Sequence, residues 1–502
     1  MSAAVGLPGW LAPLLLPDEL GASDRYAITD HGIPGIDLME RAGAALAHVA
    51  ASALPAGPIA VLCGSGNNGG DGFVAARILR ASGREVRVLL TREASAARGD
   101  AAIALERLGT DGLLGPAALS EALEGATGAI DALLGTGASG PPSGAAAAAI
   151  AALVASALPV VACDLPSGID AATGEVPGAA VRALATVTFH RRSPGHVILP
   201  AKEHVGRLSV VDIGIPAGAP IAPATGAIRD AVLAELPTRG ADSHKYAAGA
   251  VAVVAGSPQY PGAAVLAVRG AQRAGAGYVT AVVGEPAVGL VRQASPEAIV
   301  RPWPEPGADT SLTDALGERA DAVVLGPGMS GADAAPLVHA ALMADRPTVL
   351  DADGLAPFAG ELDRLQREAP LILTPHAGEL GRLLDRSASE INAHRLDAVR
   401  EAARRSRAIV VLKGDDTLVA HPDGRVAVND LAAPALATAG TGDVLAGAIG
   451  ALLAGGTPPF LAAAGGVRLH ARAGRLAAAA AGAHDGVVAF DVAEHLPAAR
   501  GR

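Results

Sequence analysis

The chain has 502 residues, half of them hydrophobic but only 2% aromatic, so its cores must be built from Ala, Val, Leu and Ile. The formal net charge of −11 argues against nucleic acid or an anionic membrane as a partner, because both would repel an acidic protein. The only cysteines, Cys63 and Cys163, each end an apolar run, which argues against a disulfide framework and against a zinc site.

The apolar segments of the first third do not have the pattern of targeting or membrane sequences. Residues 11–16 are apolar, but the basic residue that should precede a secretory signal is missing. The long apolar stretch 145–163 is broken at Pro159 into a helix and a strand, which is typical of a buried core. We therefore expect a cytoplasmic protein that makes no membrane contact.

Residues 17–55 are predicted to be helical, with a break near residues 30–34. The apolar strand Ile59–Cys63 then runs into a glycine-rich stretch, residues 64–72, and a helix is predicted from Phe73 to Leu79. Strand, glycine-rich loop and helix in this order are typical of a nucleotide phosphate site. The G-x-G-x-x-G spacing with a ribose-binding acid about 20 residues later is missing, which disfavours an ordinary dinucleotide site. A simple turn is the alternative interpretation.

Two further strands of the first half end in polar, glycine-containing loops. One covers residues 128–134 and precedes residues 135–141, and the other covers residues 160–163 and precedes residues 164–170. Ligands of open parallel sheets gather beyond the carboxyl ends of the strands. The polar side chains expected to converge there are Asn68, Asp131, Asp164 and Ser167. Each of them, taken singly, has the alternative role of a turn or cap residue.

The second half repeats this alternation after a Pro-, Gly- and Ala-rich linker at residues 216–227. His244 and Lys245 open it, and five strands each end in a polar or glycine-rich loop. The loops begin at Gly256, Gly326, Asp351, Thr374 and Lys413. Strands that alternate with helices in this way predict a three-layer α/β domain with one long crevice.

Residues 437–443, Ala-Thr-Ala-Gly-Thr-Gly-Asp, precede an unbroken apolar run and predict a loop that enters a buried helix. The N–H groups of Gly440, Thr441 and Gly442 would form an anion site at the positive end of that helix. Asp443 beside it could take the proton of a hydroxyl whose oxygen attacks phosphorus. The alternative is a glycine-rich loop with an Asp cap.

Three residues at the other loops complete a set that fits phosphoryl transfer, although a Walker A sequence is missing. Lys413 offers a cation, and Glu379 could sit near a magnesium-bound phosphate. Taken singly, His376 could be an ordinary loop histidine, Lys413 a solvated strand end and Glu379 a helix cap.

The whole chain resembles the bifunctional NAD(P)H-hydrate repair enzymes. Residues 1–220 resemble their epimerase domain in four segments, and residues 225–502 resemble their dehydratase domain of the ribokinase-like superfamily in seven. The first set is 38–43, 66–72, 135–137 and 164–168, and the second is 244–245, 256–257, 275–277, 326–328, 374–376, 413–414 and 440–443. The resemblance implies two three-layer αβα domains, the first Rossmann-like and the second ribokinase-like.

For residues 1–220 the resemblance implies an epimerase site for hydrated NADH and NADPH. Its substrate-binding residues would be Asn67, Asn68, Gly69, Gly70, Asp71, Gly135, Thr136, Gly137, Ala138, Ser139, Gly140, Pro141 and Asp164. Potassium would bind at Asn68, Asp131 and Ser167.

For residues 225–502 the resemblance implies an ADP-dependent dehydratase that works with Mg²⁺. ADP would phosphorylate the aberrant hydroxyl of the nicotinamide ring, and loss of phosphate would restore the ring double bond. The hydrated substrate would face Ala264, Gly328, His376 and Asp443, with Asp443 catalytic. The nucleotide would contact Lys413, Gly414, Asp415, Asp416, Thr417 and Gly442. The expected partners are small molecules, and we also expect a homo-oligomer.

The sequence departs from the epimerase pattern at one position. Such domains usually carry a Lys before the Pro-Gly pair that follows the Thr-Val-Thr-Phe strand, whereas residues 189–195 here read Phe-His-Arg-Arg-Ser-Pro-Gly. Arg binds phosphate but is a poor proton donor, so epimerisation could be slow or lost. Two alternatives remain: a vitamin or sugar kinase fused to a regulatory nucleotide-binding domain, and a non-catalytic scaffold role for residues 1–220.

Overall fold

The computed structural model describes residues 6–238, 248–304, 312–317, 319–331 and 334–501. The chain divides into two compact units, one built from Pro13–Thr225 and the other from Leu7–Ala12 together with the residues from Gly226 onward. His244 and Lys245, which the sequence places at the opening of the second domain, lie outside the described residues.

The structure differs from the predicted boundaries, 1–220 and 225–502, at the N-terminus. Strand β1 (Leu11–Pro13) lies at the edge of the second unit's sheet, beside the strand Thr225–Ile228. The ring of Trp10 packs 5.6 Å from that of Phe460, so burial of this indole keeps the segment with the second unit. The predicted linker, residues 216–227, therefore ends inside a strand.

The first unit alternates strands and helices along the chain. The predicted break near residues 30–34 is confirmed, because α1 and α2 are separated there after a π-helical turn, Tyr26–Asp30. The elements are α1 (Pro17–Arg25), α2 (Gly35–Ala53), β2 (Ile59–Cys63), α3 (Asn67–Ala81), β3 (Val86–Leu90), α4 (Gly99–Leu108), β4 (Leu113–Leu114), α5 (Leu119–Leu123), β5 (Gly128–Ala132), α6 (Gly144–Ser156), β6 (Val160–Cys163), β7 (Ala185–Phe189), α7 (Lys202–Val205) and β8 (Arg207–Val211).

The strands of this unit form one parallel sheet in the order β4-β3-β2-β5-β6-β7-β8. Both of its faces are covered by apolar clusters, which is why β2, β5 and β6 are buried along their whole length. The direction of chain progression reverses between β2 and β5. At such a reversal a crevice opens beyond the carboxyl ends of the strands. The predicted α/β class is confirmed.

Helix α3 begins at Asn67, six residues before its predicted start at Phe73. The glycine-rich loop is therefore short, and residues 67–72 belong to the helix. Glycine is needed inside this helix because a Cβ on Gly69 would overlap the carbonyl oxygen of Gly64 in the loop. The prediction was wrong because the glycines were taken as signs of a loop, whereas they allow the helix to approach the end of β2 closely.

The second unit continues the alternation with longer helices at its C-terminal end. Its elements are β9 (Thr225–Ile228), β10 (Ala250–Ala255), α8 (Pro261–Ala274), β11 (Tyr278–Val283), α9 (Glu285–Ala294), β12 (Ile299–Pro302), α10 (Leu312–Leu316), β13 (Ala322–Leu325), α11 (Ala334–Met343), β14 (Thr348–Leu350), β15 (Leu371–Leu373), α12 (Ala377–Leu384), α13 (Ala388–Ala393), α14 (Arg395–Ser406), β16 (Ile409–Leu412), β17 (Leu418–Ala420), β18 (Val426–Val428), α15 (Thr441–Ala454), α16 (Pro459–Ala481) and α17 (Ala489–Ala499).

Its sheet has the order β1-β9-β18-β17-β16-β15-β14-β13-β10-β11-β12 over the described residues. Neighbouring strands from β12 to β16 run parallel, and β16, β17 and β18 pair antiparallel. The five polar loops predicted from the sequence follow β10, β13, β14, β15 and β16, which are neighbours in this sheet. Their carboxyl ends therefore lie along one edge, as the alternation predicted.

Helix α15, which carries Asp443, is buried on almost every side. It packs against α8 at a distance that only a residue without a side chain allows, because a Cβ on Gly447 would overlap the carbonyl oxygen of Ala267. This close packing fixes the helix axis and hence the position of its first turn. None of the helices in the described ranges is both long and apolar enough to cross a membrane.

Candidate functional site

The first unit contains a cavity of about 950 Å³ at the carboxyl ends of β2, β5 and β6. This volume is at the upper end of the range of small-molecule and cofactor sites. Most of the predicted epimerase residues line it, namely Asn67, Asn68, Asp71, Gly135, Thr136, Gly137, Ala138, Ser139, Gly140, Pro141 and Asp164. Gly69 and Gly70 do not, because both are buried in the first turns of α3.

Asp164 is held in one orientation by two donors. The N–H of Thr136 donates to Oδ2 at 3.0 Å, and the hydroxyl of Thr188 donates to Oδ1 at 3.0 Å. The backbone of Asp164 is left-handed, with φ of 61°, which is uncommon for a residue that has a side chain. Both carboxyl oxygens of Asp164 therefore accept hydrogen bonds.

A buried histidine, His196, supports this strained residue from the position directly after the Pro-Gly pair. The N–H of Ser193 donates to Nδ1 of His196 at 2.9 Å, which leaves the hydrogen on Nε2 to be donated to the carbonyl oxygen of Asp164 at 2.8 Å. Burial lowers the pKa of His196, so the ring is neutral. His196 thus supplies a hydrogen bond to the backbone of Asp164 and no positive charge.

Asp71 and Asp24 bring two more carboxyl groups to the cavity beside Asp164. Burial, and then the charge of Asp164, raise the pKa of Asp71 well above its usual value, although the thiol of Cys163 lies 3.8 Å from Oδ2. Asp24 is open to solvent on the side of the cavity. Burial by the surrounding protein, and then the charge of Asp164, raise the pKa of Asp24 as well. Asp164 thus shares the cavity with two carboxyl groups whose pKa values are raised.

Sequence reasoning missed Asp24. The signal was its spacing, because Pro17, Leu20, Gly21 and Asp24 recur at helical intervals and together line the cavity. An acid on an otherwise apolar helical stripe was the available clue.

Two of the predicted potassium ligands, Asp131 and Ser167, are buried beneath the cavity, and the third, Asn68, lines it. Asp131 is fully buried and accepts from the N–H and hydroxyl of Ser167 at 2.8 and 2.6 Å and from the N–H of Leu133 at 3.2 Å. Burial raises the pKa of Asp131 to about 6 in spite of these donors. Both amide atoms of Asn68 are buried without a partner. A buried carboxyl, a hydroxyl and an unsatisfied amide oxygen are oxygen ligands that suit a hard cation.

The second unit's candidate site centres on the start of α15. Gly440 precedes the helix with φ of 87°, a left-handed conformation that favours glycine. The hydroxyl of Thr441 donates to the carbonyl oxygens of Leu436 and Thr438, at 2.9 and 3.0 Å, and so fixes the loop before it. Asp443 is the third residue of the helix.

Lys413 lies among acids at this site. Its Nζ is 2.8 Å from Oδ1 of Asp351 and 3.7 Å from Oε2 of Glu379, and it also approaches Gly442. Burial opposes the charge of Lys413, but Asp351 and Glu379 outweigh it and raise the pKa of the ammonium group. Lys413 is therefore a fixed cation directly beside the first turn of α15.

Asp443 is poised near neutrality. Burial and the charge of Asp351 raise the pKa of Asp443 to about 7, Lys413 lowers it, and Asp353 and Glu379 raise it further. A carboxyl group with such a pKa is well matched to accept a proton at neutral pH. Asp353 and Asp351 were not predicted as site residues, although their loop was.

His376 and Glu379 form a reciprocal cap at the start of α12. Nδ1 of His376 accepts from the N–H groups of Gly378 and Glu379 at 2.9 and 3.3 Å, and Oε2 of Glu379 accepts from the N–H of His376 at 2.8 Å. The His376 side chain is still 55% exposed, which leaves its face open to a ligand. The cap interpretation of Glu379 is confirmed, and its carboxylate reaches Lys413 as well.

Several predicted dehydratase residues have side chains that do not face solvent. Asp416 is fully buried in an ion pair with Arg395, with Oδ1 at 2.7 Å and Oδ2 at 3.0 Å from its nitrogens. Thr417 donates its hydroxyl to the carbonyl oxygen of Gly414 at 2.6 Å. Ala264 is buried in α8. The Asp416 and Thr417 side chains therefore hold the loop together, and Gly414 and Asp415 are its exposed members.

Two further predicted positions contribute backbone rather than side chain. Gly328 is buried with φ of 62° and packs against Tyr260 and Ala263 at the start of α8. Gly442 is partly exposed in the first turn of α15. His470, which sequence reasoning missed, lies beneath that turn, and burial lowers its pKa to about 4, so it adds no charge there.

Metal ligation by protein side chains alone is not evident at this second site. Over the ranges that the structure describes, no group of three or more His, Cys, Asp or Glu is arranged to hold a metal ion. Magnesium at phosphate-transfer sites usually takes only one or two carboxylates and fills its other positions with phosphate oxygens and water. Burial, and then the charge of Glu379, raise the pKa of Asp353, which marks an excess of negative charge that suits a cation.

Two family models match the chain. Residues 251–498 match the model described as NAD(P)H-hydrate dehydratase, and residues 35–195 match the one described as YjeF-related protein N-terminus. The bifunctional NAD(P)H-hydrate repair enzyme Nnr of Moorella thermoacetica is 38% identical over 512 aligned residues, covering 96% of each chain. The enzyme of the same name from Salinibacter ruber is 38% identical over 524 aligned residues, covering 97% of this chain and 95% of the relative.

Among solved structures, the ADP/ATP-dependent NAD(P)H-hydrate dehydratase of Bacillus subtilis, co-crystallised with ATP/Mg²⁺, is 34% identical. The structural alignment covers 53% of this chain and 94% of the Bacillus subtilis chain, with a TM-score of 0.49.

Proposed function

The chain belongs to the family of bifunctional NAD(P)H-hydrate repair enzymes, and from that premise we propose where each of its reactions takes place and which residues carry it. It epimerises the R and S forms of hydrated NADH and NADPH and dehydrates the S form back to the coenzyme. The unit Pro13–Thr225 carries the epimerase, and the unit that contains Asp443 carries the dehydratase.

In the first unit, Asp164 acts as the base and Asp71 or Asp24 as the acid. Support comes from the contrast in their surroundings, because Asp164 accepts two hydrogen bonds whereas burial raises the pKa values of the other two. The acid protonates the ring hydroxyl, which leaves as water while the ring nitrogen's electron pair forms a C=N bond. Water then adds to the opposite face of that carbon and gives its proton to Asp164.

Potassium belongs to this unit in our proposal. Asp131, Ser167 and Asn68 would hold it, because the buried carboxyl of Asp131 has only N–H and O–H donors and the Asn68 amide has no partner within the described structure. When bound, the ion would neutralise Asp131 and stiffen the loop before Gly135.

In the second unit, Asp443 takes the proton of the substrate hydroxyl as its oxygen attacks the terminal phosphorus of ADP. The N–H groups at the start of α15 hold the phosphate, and Lys413 stabilises the charge on its oxygens. The P–O bond to the departing AMP breaks. The ring nitrogen's electron pair then expels the new ester group as inorganic phosphate, and the neighbouring ring carbon gives a proton to that phosphate as the ring double bond forms. The position of Asp443 in the first turn of α15, beside Lys413 and with a pKa raised to about 7, is the observation that carries this assignment.

Magnesium would reach this site with the nucleotide phosphates, and Asp353 and Glu379 would hold it there. When bound, it would screen the phosphate charge during transfer. Contacts of the nucleotide with Gly414 and Asp415 are proposed on the exposure of that loop. A homo-oligomer stays a prediction.

The test uses the full chain with Asp443→Asn. We expect this variant to lose the ADP- and Mg²⁺-dependent return of reduced-nicotinamide absorbance from hydrated NADH, because Asn cannot accept the proton. Interconversion of the R and S forms, followed by chromatography, should persist. Full dehydratase activity in the variant would remove Asp443 as the base, and accumulation of a stable phosphorylated product in the wild type would favour a kinase instead.

A further inference from the structure

The cavity of the first unit is rich in acids and poor in cations. Asp24, Asp71, Asp100 and Asp164 line it, and among its described lining residues Arg92 is the only lysine or arginine. His190 also lines it, but burial, followed by the charge of Arg191, lowers the pKa of that histidine, so it stays neutral. A phosphorylated ligand in this cavity therefore has a single permanent side-chain cation to contact.

Arg92 is placed by the strand before it and is free to bind. Thr91 donates its N–H and its hydroxyl to the carbonyl oxygen of Cys63 at 3.1 and 3.2 Å, which anchors the end of β3 to the end of β2. The Arg92 side chain is exposed, and within the described part of the chain its guanidinium makes no ion pair or hydrogen bond. The cation is thus positioned by its backbone but not neutralised.

The strand order indicates which part of a dinucleotide reaches Arg92. Asp164 follows β6 and Arg92 follows β3, which are three strand spacings apart, or ~14 Å at ~4.8 Å per strand. The start of α3, suited to a pyrophosphate, lies between them beyond β2. A dinucleotide with its reacting ring at Asp164 and its pyrophosphate at α3 therefore brings its adenosine ribose to the end of β3.

We propose that Arg92 binds the 2′-phosphate of the adenosine ribose and makes the epimerase unit prefer hydrated NADPH to hydrated NADH. The inference rests on the epimerase function proposed above. In dinucleotide-binding sheets of this order, an acid at the end of the second strand accepts from the ribose 2′-hydroxyl, whereas an arginine nearby accommodates a 2′-phosphate. This chain has the arginine, and its planar, fork-like set of donors matches phosphate oxygens.

The experiment compares epimerisation of both hydrated coenzymes by the full chain with and without Arg92→Gln. Because Arg92→Gln removes charged hydrogen bonds to the 2′-phosphate, we expect its kcat/KM for hydrated NADPH to be ~10–100-fold lower than that of the wild type. We expect little change for hydrated NADH. The loss should fall on KM, because Arg92 lies far from the reacting ring. Arg92→Asp should shift the preference further toward hydrated NADH.

Arg98→Gln is the matched control. Arg98 lies in the same exposed segment but donates to the carbonyl oxygens of Ser95 and Ala97 and does not line the cavity. An equal loss for both substrates in Arg92→Gln would overturn the proposal, because it would place Arg92 on a group that both share. Unchanged kinetics for both substrates would overturn it too.

A binding measurement separates this inference from the proposed function. Calorimetry should show that Arg92→Gln weakens the binding of adenosine 2′,5′-bisphosphate but leaves the binding of AMP unchanged. Any binding of these probes by the second unit is the same in the wild-type chain and in Arg92→Gln. If the wild-type chain interconverts neither pair of epimers, the epimerase function fails while this measurement still decides the role of Arg92. Equal binding of the bisphosphate by the wild-type chain and by Arg92→Gln would contradict the proposed role of Arg92.

Discussion

The two units each place a carboxyl group near the start of a helix that follows a strand or loop rich in glycine, but they surround it differently. Asp71 in α3 is buried beside other carboxyl groups, and no lysine or arginine is among the causes that shift its pKa. Asp443 in α15 is half-buried beside other carboxyl groups, but Lys413 lies close enough to lower its pKa again. The rise in the pKa of Asp71 therefore has no opposing lysine or arginine, whereas Lys413 partly opposes the rise at Asp443.

The same contrast extends beneath the two sites. Asp416 under the second site is paired with the buried guanidinium of Arg395, whereas Asp131 under the first accepts only from N–H and O–H groups. The buried charge of Asp416 is therefore balanced by a side chain of its own unit. In the first unit the balance is left open, as expected where an ion from solution completes the site.

The largest expected effect is on the base of the first unit. Asp164→Asn should lower the rate of epimerisation by ~10²–10⁴, the usual contribution of a positioned base, and leave dehydration of the purified S form unchanged. Chromatographic separation of the two epimers measures the first rate and nicotinamide absorbance the second. Asp170→Asn is a suitable control, because Asp170 caps a nearby turn through Ala172 and Thr173. Retained epimerisation in Asp164→Asn would contradict the role of this residue.

The buried ion pair of the second unit comes next. Arg395→Met removes the guanidinium group that pairs with the buried carboxyl group of Asp416, which should lower the free energy of unfolding of this unit by ~3–5 kcal/mol. Urea denaturation followed by circular dichroism measures it. The double variant Arg395→Met/Asp416→Leu should recover much of the loss, since no buried charge remains. An unchanged midpoint for the single variant would show that the pair does not stabilise the Lys413 loop.

Removing the cation of the second site should make its carboxyl group behave like those of the first. Lys413 lowers the pKa of Asp443, so Lys413→Met should raise that pKa. The base then stays protonated to a higher pH, and the rise of kcat/KM with pH should move to the alkaline side, with a ~10–100-fold lower value at pH 7 from the lost phosphate contact. Lys413→Arg should keep the profile near that of the wild type. A profile that did not move would mean that Lys413 does not influence Asp443.

The smallest effect concerns the potassium ion that we propose for the first unit. Asn68→Ala removes one of its expected ligands and should raise the potassium concentration needed for half-maximal epimerisation by ~10-fold, the value of a single bond to a charged group. Titration of potassium against choline as the replacement cation measures this. Dehydration should show no such shift in the variant. Identical potassium curves for wild type and Asn68→Ala would exclude Asn68 as a ligand.

Much of the fold could be predicted from the sequence. Apolar runs such as Ile59–Cys63 and Val160–Cys163 are strands because both faces of a parallel sheet are covered. The loops after these strands could be predicted as well, because glycine and polar residues follow each apolar run. The start of α3 could not, because Gly69 serves helix packing against Gly64, and this contact joins residues whose proximity only the folded chain creates.

The site could be predicted in part. Asp443 could be predicted as a site residue because it follows glycines and precedes an apolar run. Asp24 could not, because it lies on a short helix and not in a glycine-rich loop after a strand. Asp416 carries the same residue type as Asp415 next to it, yet one is buried in an ion pair and the other is exposed. Local sequence does not separate them, because the partner, Arg395, comes from another helix.

The pH dependence of dehydration by the wild-type chain tests the central claim most directly. With the S form of hydrated NADH, ADP and Mg²⁺, we predict that kcat/KM rises with pH through a single ionisation near 7 and that the small residual rate of Asp443→Asn lacks this rise. A rise near pH 4, where an ordinary aspartate titrates, or the same ionisation near 7 in Asp443→Asn, would contradict the role given to this carboxyl group.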